Sequence, residues 1–208
     1  MTETESSDMA KKRIKVRVTF NEKVLGTASS NPEIHKEFIA SKGPNAISLE
    51  EEIAALGPEI VEGKLQSVFP RMDDGRPMYW DYQIKGSYKD ACGMLARLPD
   101  TQSKKLRAYK KIIDGLIFVF PRRIPINLPE GGKIGSCQRP LRITTMQGER
   151  VALANSEVVP EGSWIEYETL LLDDTYEKCL IEWLDYGALR GFGQWRNSGT
   201  GRFSYEIL

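Results

Sequence analysis

Gly191-Phe192-Gly193-Gln194-Trp195-Arg196-Asn197-Ser198-Gly199-Thr200-Gly201 is the stretch on which the reading of this chain turns. Two glycine pairs flank five residues, between a helical pattern and a closing strand pattern. Glycine tolerates positive φ and lets another group approach the backbone closely. Backbone N–H groups freed in such a segment can hold an anion such as a phosphate. Trp195 offers a face on which a base can stack, and Arg190, Arg196 and Arg202 offer charge. The plainer alternative is a glycine-rich turn with Trp195 simply packed. On the first view the ligand-binding residues are Arg190, Gly191, Gly193, Gln194, Trp195, Arg196, Asn197, Ser198, Gly199, Gly201 and Arg202.

The flanking pattern is mixed. Residues 13–20 alternate, with Ile14, Val16, Val18 and Phe20 on one side, which predicts a half-buried strand. Asn31-Pro32 predicts a helix start, Gly43-Pro44 its end, and Ser48 with Glu51 a capping box for a short second helix. Residues 64–69 and 77–84 flank Asp73-Asp74-Gly75 and read as a hairpin or neighbouring strands. Gly86-Ser87 then opens a helix, and residues 104–113 read as helical. Residues 116–120 and 164–172 read as strands, and residues 141–145 with 150–154 as a hairpin. Tyr176, Cys179, Leu180, Trp183 and Leu184 form a helical stripe, making Cys179 a core residue. Residues 202–208 close the chain as a strand. This order lacks the regular beat of a doubly wound fold and predicts an α+β sandwich of ferredoxin-like type with insertions. Residues 1–12 read as a disordered tail and residues 13–208 as a single domain.

The chain has 208 residues, of which 40% are hydrophobic and 28% charged, enough to bury a sizeable core. Apolar runs fall short of the roughly 20 residues that cross a bilayer, and the polar, acidic start does not read as a signal peptide. With three scattered cysteines and one histidine, neither a disulfide framework nor a histidine-rich metal site is readable, and a reducing, cytoplasmic setting is expected. No metal or cofactor is expected. Lys plus Arg and Asp plus Glu are both 29, which argues against coating long nucleic acid by bulk charge. The charges are unevenly spread, however: residues 104–142 are basic and residues 152–186 acidic. Such runs are usually solvated faces; the sharper view is a local anion site on a neutral protein.

The glycine spacing before a last strand resembles the glycine-rich loop of the RAMP superfamily, the CRISPR-associated ferredoxin-like proteins that bind guide RNA or cleave its precursor. Ile84-Lys85-Gly86-Ser87-Tyr88-Lys89 is similar to the strand–G-S–helix segment of type III backbone subunits, with Lys85 where a proline is common. Leu25-Gly26-Thr27 after the first strand looks like their opening. The resemblance adds Lys85, Ser87 and Lys89 to the ligand-binding set. The whole chain is also similar to small phage and prophage proteins, which implies a stand-alone binder or an anti-defence protein in the host cytoplasm.

Some RAMP endonucleases cut RNA without metal through a histidine near the first helix, and His35 occupies that region. An exposed helix histidine is the competing and favoured view. Type III backbone subunits cut with an aspartate in an early loop, which residues 24–30 lack. Three functions remain: non-catalytic binding of RNA or a short or cyclic oligonucleotide, in its narrower form the sequestering of a nucleotide signal; a metal-independent endoribonuclease using His35; and a protein-binding inhibitor that mimics a CRISPR subunit through its acidic run and targets a defence-system protein.

Overall fold

Lys12, one residue earlier than expected, begins the first strand of the fold. The computed structural model describes residues 11–29, 66–145 and 148–208. Residues 1–10, the predicted helices of residues 31–56 and His35 lie outside the described residues.

Strand β1 (Lys12–Phe20) buries Ile14, Val16, Val18 and Phe20, as its alternation predicts. Burying a side chain of this kind is worth about 1.5–3 kcal/mol. It pairs antiparallel on one side with β10 (Trp164–Leu171) and on the other with β11 (Phe203–Ile207). β6 (Ile117–Phe120) joins the far edge of β10, giving the antiparallel order β11-β1-β10-β6.

One face of this sheet is covered by helices α1 (Asp81–Leu95) and α4 (Glu177–Arg190), which pack on each other. α4 buries the predicted Cys179, Leu180, Trp183 and Leu184, and burial pushes the Cys179 thiol up to about 11, so it behaves as a packing residue. Several polar atoms of the core are paired, while the buried Tyr79 hydroxyl has no hydrogen-bond partner among the described residues. Tyr88 on α1 donates to the Tyr167 hydroxyl at 3.2 Å and pairs with the Thr169 hydroxyl at 3.1 Å. Trp183 Nε1 donates to Ser103 Oγ at 3.0 Å.

A second sheet lies beyond the end of β1. It holds β2 (Val24–Leu25), β3 (Ala28–Ser29), β4 (Gln66–Val68), and the long hairpin of β8 (Gly135–Thr145) and β9 (Gly148–Val159). The hairpin was expected at residues 141–154 and extends further at both ends, because β9 also pairs with β2 and with β4.

Two local expectations are corrected. Residues 64–69 and 77–84 do not pair as strands of one hairpin. β4 runs parallel to β9, while β5 (Met78–Trp80) pairs with β7 (Arg123–Pro125). The Asp73-Asp74-Gly75 turn between them is present, with Gly75 at φ 84°. Helix α1 also starts at Asp81, so Gly86-Ser87 lies inside it rather than at its start. Its first turn is secured by Gln83, whose Oε1 accepts the Trp80 N–H at 2.8 Å. The single helix expected over residues 104–113 divides into α2 (Gln102–Lys105) and α3 (Tyr109–Leu116), with Ala108 at φ 52° between them. Of the aromatic run, Tyr79 is buried, while Trp80 and Tyr82 stack on each other at 6.3 Å. Altogether the architecture is α+β, with a four-stranded antiparallel sheet covered by helices and a five-stranded sheet that is antiparallel except for the β4–β9 pair.

Candidate nucleic-acid interface

Helix α4 delivers the chain to the glycine segment, and Gly191 ends it. At φ 84° this residue leaves the helix while its N–H still reaches the Gly187 carbonyl at 2.7 Å. A Cβ there would lie 2.5 Å from the Thr200 carbonyl oxygen, so the two ends of the segment touch backbone to backbone. At Gly201 a Cβ would meet the Phe192 carbonyl oxygen at 2.0 Å. Phe192 N–H donates to Gly201 O, and Gly201 N–H to Lys23 O, both at 2.9 Å. The segment is thus closed on itself and seated on β2.

That seating changes the expected chemistry. The N–H groups of Gly191, Phe192, Ser198, Gly199 and Gly201 all donate to carbonyls of the protein. These five are occupied and do not form the open phosphate cradle expected from the glycines. The glycines serve first to close the loop, and the side chains between them face outward. Trp195, held at φ 60°, is 44% exposed. Phe192 and Thr200 are the exceptions: Thr200 is buried and donates to the Gln194 carbonyl, and Phe192 is buried against Phe203 at 5.1 Å, Tyr79 at 5.8 Å and Phe20 at 6.1 Å.

The predicted cations converge here. Arg196 Nη1 donates to Asp90 Oδ2 on α1 at 2.8 Å, and Arg190 Nε lies 3.7 Å from the same oxygen. Arg190 Nη1 also donates to Asn197 Oδ1 at 2.7 Å. One carboxylate therefore serves two guanidiniums. Arg202 is exposed, and its guanidinium carbon passes within 3.8 Å of the Cβ position of Gly199. Ser198 is exposed, and Gln194 lies half-buried on the side facing the hairpin.

Sequence reasoning missed the residue that meets Gln194. Arg139, on β8, is 7% exposed; it donates to Ser156 Oγ at 2.9 Å and to Gln194 Oε1, and its guanidinium lies 5.8 Å from the Trp195 ring centre. Burial lowers its pKa. The only sequence signal was its membership of the basic stretch 104–142, whose first members, Lys104, Lys105, Arg107, Lys110 and Lys111, sit on or beside α2 and α3.

Lys85, Ser87 and Lys89 are not brought to the segment. Lys85 Nζ donates to the Asp114 carbonyl at 3.1 Å and Lys89 pairs with the Asp114 carboxylate, both turned toward α3. Ser87 Oγ donates to Ile84 O within α1. Their neighbour Asp90 is the α1 residue that reaches the loop. The acidic run is also largely engaged: Glu157 with Arg71, Glu166 with Lys15 and Arg17, Glu168 with Arg13, Glu177 with Lys12, and Glu182 on the N–H groups that open α2. Among the described residues no helix is long and apolar enough to cross a membrane, and no cluster of three metal-ligating side chains occurs.

No protein-family model and no curated protein matches the chain. Solved structures do. A chain in the cryo-EM structure of the Type III-B Cmr-beta bound to cognate target RNA superposes with a TM-score of 0.53 at 10% identity. The match covers 95% of this chain and 61% of that one, so the present chain spans less than two thirds of its neighbour's length. This likeness is one of fold alone and assigns no residue a role. A chain of the Type IV-B CRISPR Complex gives a TM-score of 0.46 at 9% identity, over 95% of this chain and 90% of that one.

Proposed function

We propose that the chain is a non-catalytic, ferredoxin-like RAMP domain that binds RNA or a short oligonucleotide along the outer side of residues 190–202. The strand order β11-β1-β10-β6, with α1 and α4 on one face, supports the ferredoxin-like reading. The observation that carries the function is the half-exposed Trp195 ring on a loop fastened to the core, a loop that also carries Arg196 and is flanked by Arg190 and Arg202. An aromatic face takes any base, and guanidiniums pair with the phosphates between bases. The RNA-bound state of the Cmr-beta neighbour is in keeping with this reading.

The open position of Trp195 suits a strand lying across the surface better than a cyclic nucleotide enclosed on all sides. Sequestering a short nucleotide signal is the narrower form of the same proposal. Mimicry of nucleic acid by the acidic run is less favoured, because most of those carboxylates are already engaged.

Fluorescence anisotropy with a labelled oligouridylate tests the proposal. Trp195→Ala and Arg196→Ala should each weaken binding while far-ultraviolet circular dichroism stays unchanged. Wild-type affinity in both variants overturns it.

A further inference from the structure

Among the described residues, no carboxylate balances the charge of Arg139. Arg139 is more than nine-tenths buried; its hydrogen-bond and ring contacts are the Ser156 hydroxyl, the Gln194 amide oxygen and the Trp195 ring, all neutral, and Cys137 on the same strand also acts on its charge. Elsewhere the chain supplies carboxylates freely, as the shared Asp90 beside Arg190 and Arg196 demonstrates. A buried guanidinium stays ionised, and leaving it without a counter-charge is costly.

The geometry around it is built rather than accidental. Ser156 Oγ accepts from Arg139 and shares a 2.7 Å hydrogen bond with Ser67 Oγ, in which either hydroxyl can donate. That pair fixes the guanidinium from behind. Because arginine only donates, Gln194 must present its amide oxygen to it, which turns Gln194 Nε2 away as a further donor. A guanidinium has five N–H donors, so beyond the two hydrogen bonds to Ser156 and Gln194 it keeps others to offer.

We propose that Arg139 is an anion subsite at the seam between β8 and the glycine segment, taking a phosphate group whose charge supplies the missing counter-ion. Gln194 Nε2 is the second donor, and the neighbouring Trp195 ring receives the base attached to that phosphate. The planar fork of arginine fits phosphate oxygens two at a time. The subsite deepens the RNA reading and rests on it in one respect, that the phosphate belongs to a nucleotide chain.

Thermal unfolding in phosphate and in chloride of equal ionic strength tests the subsite on the whole chain. The wild-type midpoint should rise saturably with inorganic phosphate. Arg139→Gln should lose that rise, while its midpoint in chloride equals or exceeds wild type, because an unbalanced buried charge has gone. A merely structural arginine predicts an equal loss in both salts. The subsite is overturned by a wild type that gains nothing specific from phosphate, or by Arg139→Gln gaining as much. Should that variant not fold, Trp195 emission in the wild type, measured against Trp195→Phe, must shift as phosphate is titrated; a flat titration overturns the proposal.

A second arm uses oligouridylates with and without a 5′-phosphate. Arg139→Gln should weaken binding about tenfold or more, the scale of one lost charge-assisted hydrogen bond. Loss confined to the phosphorylated oligomer assigns a terminal phosphate, and loss with both assigns an internal phosphodiester. Binding that depends on Trp195 and ignores Arg139 removes the subsite and leaves the RNA reading standing. A phosphate response with no oligonucleotide affinity does the reverse.

Discussion

The exposed face of the four-stranded sheet and the glycine segment use the same residue types to opposite effect. On that face the cations of β1 each meet a carboxylate, Arg13 with Glu168 and Lys15 and Arg17 with Glu166, and on the helix side Lys12 meets Glu177 at the start of α4. Around the glycine segment, Arg139, Arg190, Arg196 and Arg202 have one paired carboxylate among the described residues, Asp90. A formal net charge of zero is therefore compatible with a strongly local excess. What separates a structural cation from a candidate ligand cation is whether the fold has already answered its charge.

The sharpest way to break this contrast is to destroy one region and spare the other. Gly201→Ala places a methyl group 2.0 Å from the Phe192 carbonyl oxygen at a φ of 74°. It should cost about 3 kcal/mol or more in denaturant unfolding and abolish oligonucleotide binding. Trp195→Ala is expected to remove about 1–3 kcal/mol of binding, read by anisotropy, with an unchanged unfolding midpoint. Arg202→Ala is a finer probe: the slope of log affinity against log salt should fall by about 0.7, the share of one phosphate contact on a single strand.

Arg17→Ala gives the smallest effect, on the other side of the contrast. It should change stability by about 1 kcal/mol or less and leave binding alone. Its signature is in pH. Hydrogen bonds from Lys15 and Arg17 hold the Glu166 carboxyl below its usual value of 4.5. The stabilisation from that depressed value is complete above pH 4.5 and disappears as pH falls through the lower folded-state value. Acid unfolding curves of Arg17→Ala should lose this contribution closer to pH 4.5, because less of the depression remains.

The sheet region was legible in the sequence because its signals are local. Alternation in β1 and the three-and-four spacing in α4 each report one element's own buried face. The start of α1 was not legible, because Tyr79-Trp80-Asp81-Tyr82 favours a strand by composition. The β5–β7 pairing and the Gln83 contact to Trp80 turn the chain into a helix at Asp81 instead. The parallel pairing of β4 with β9 is a tertiary choice with no local mark. The glycine segment was found by spacing, yet its role in closing the loop emerged only from the distances at Gly191 and Gly201. Arg139 stayed hidden because it meets a partner 55 positions away, and nothing in a basic stretch says which member will be buried.

Phe192 has a consequence for time as well as place. With its ring wedged among Phe20, Tyr79 and Phe203, the segment cannot swing open without pulling an aromatic side chain out of the protein's centre. Its amide and that of Gly201 should exchange with solvent deuterium only as slowly as the whole domain opens. A ligand would then arrive at a finished surface, with no gate to wait for. Association in stopped-flow should be a single phase whose rate grows in proportion to oligonucleotide concentration, without the plateau that a preceding conformational step imposes.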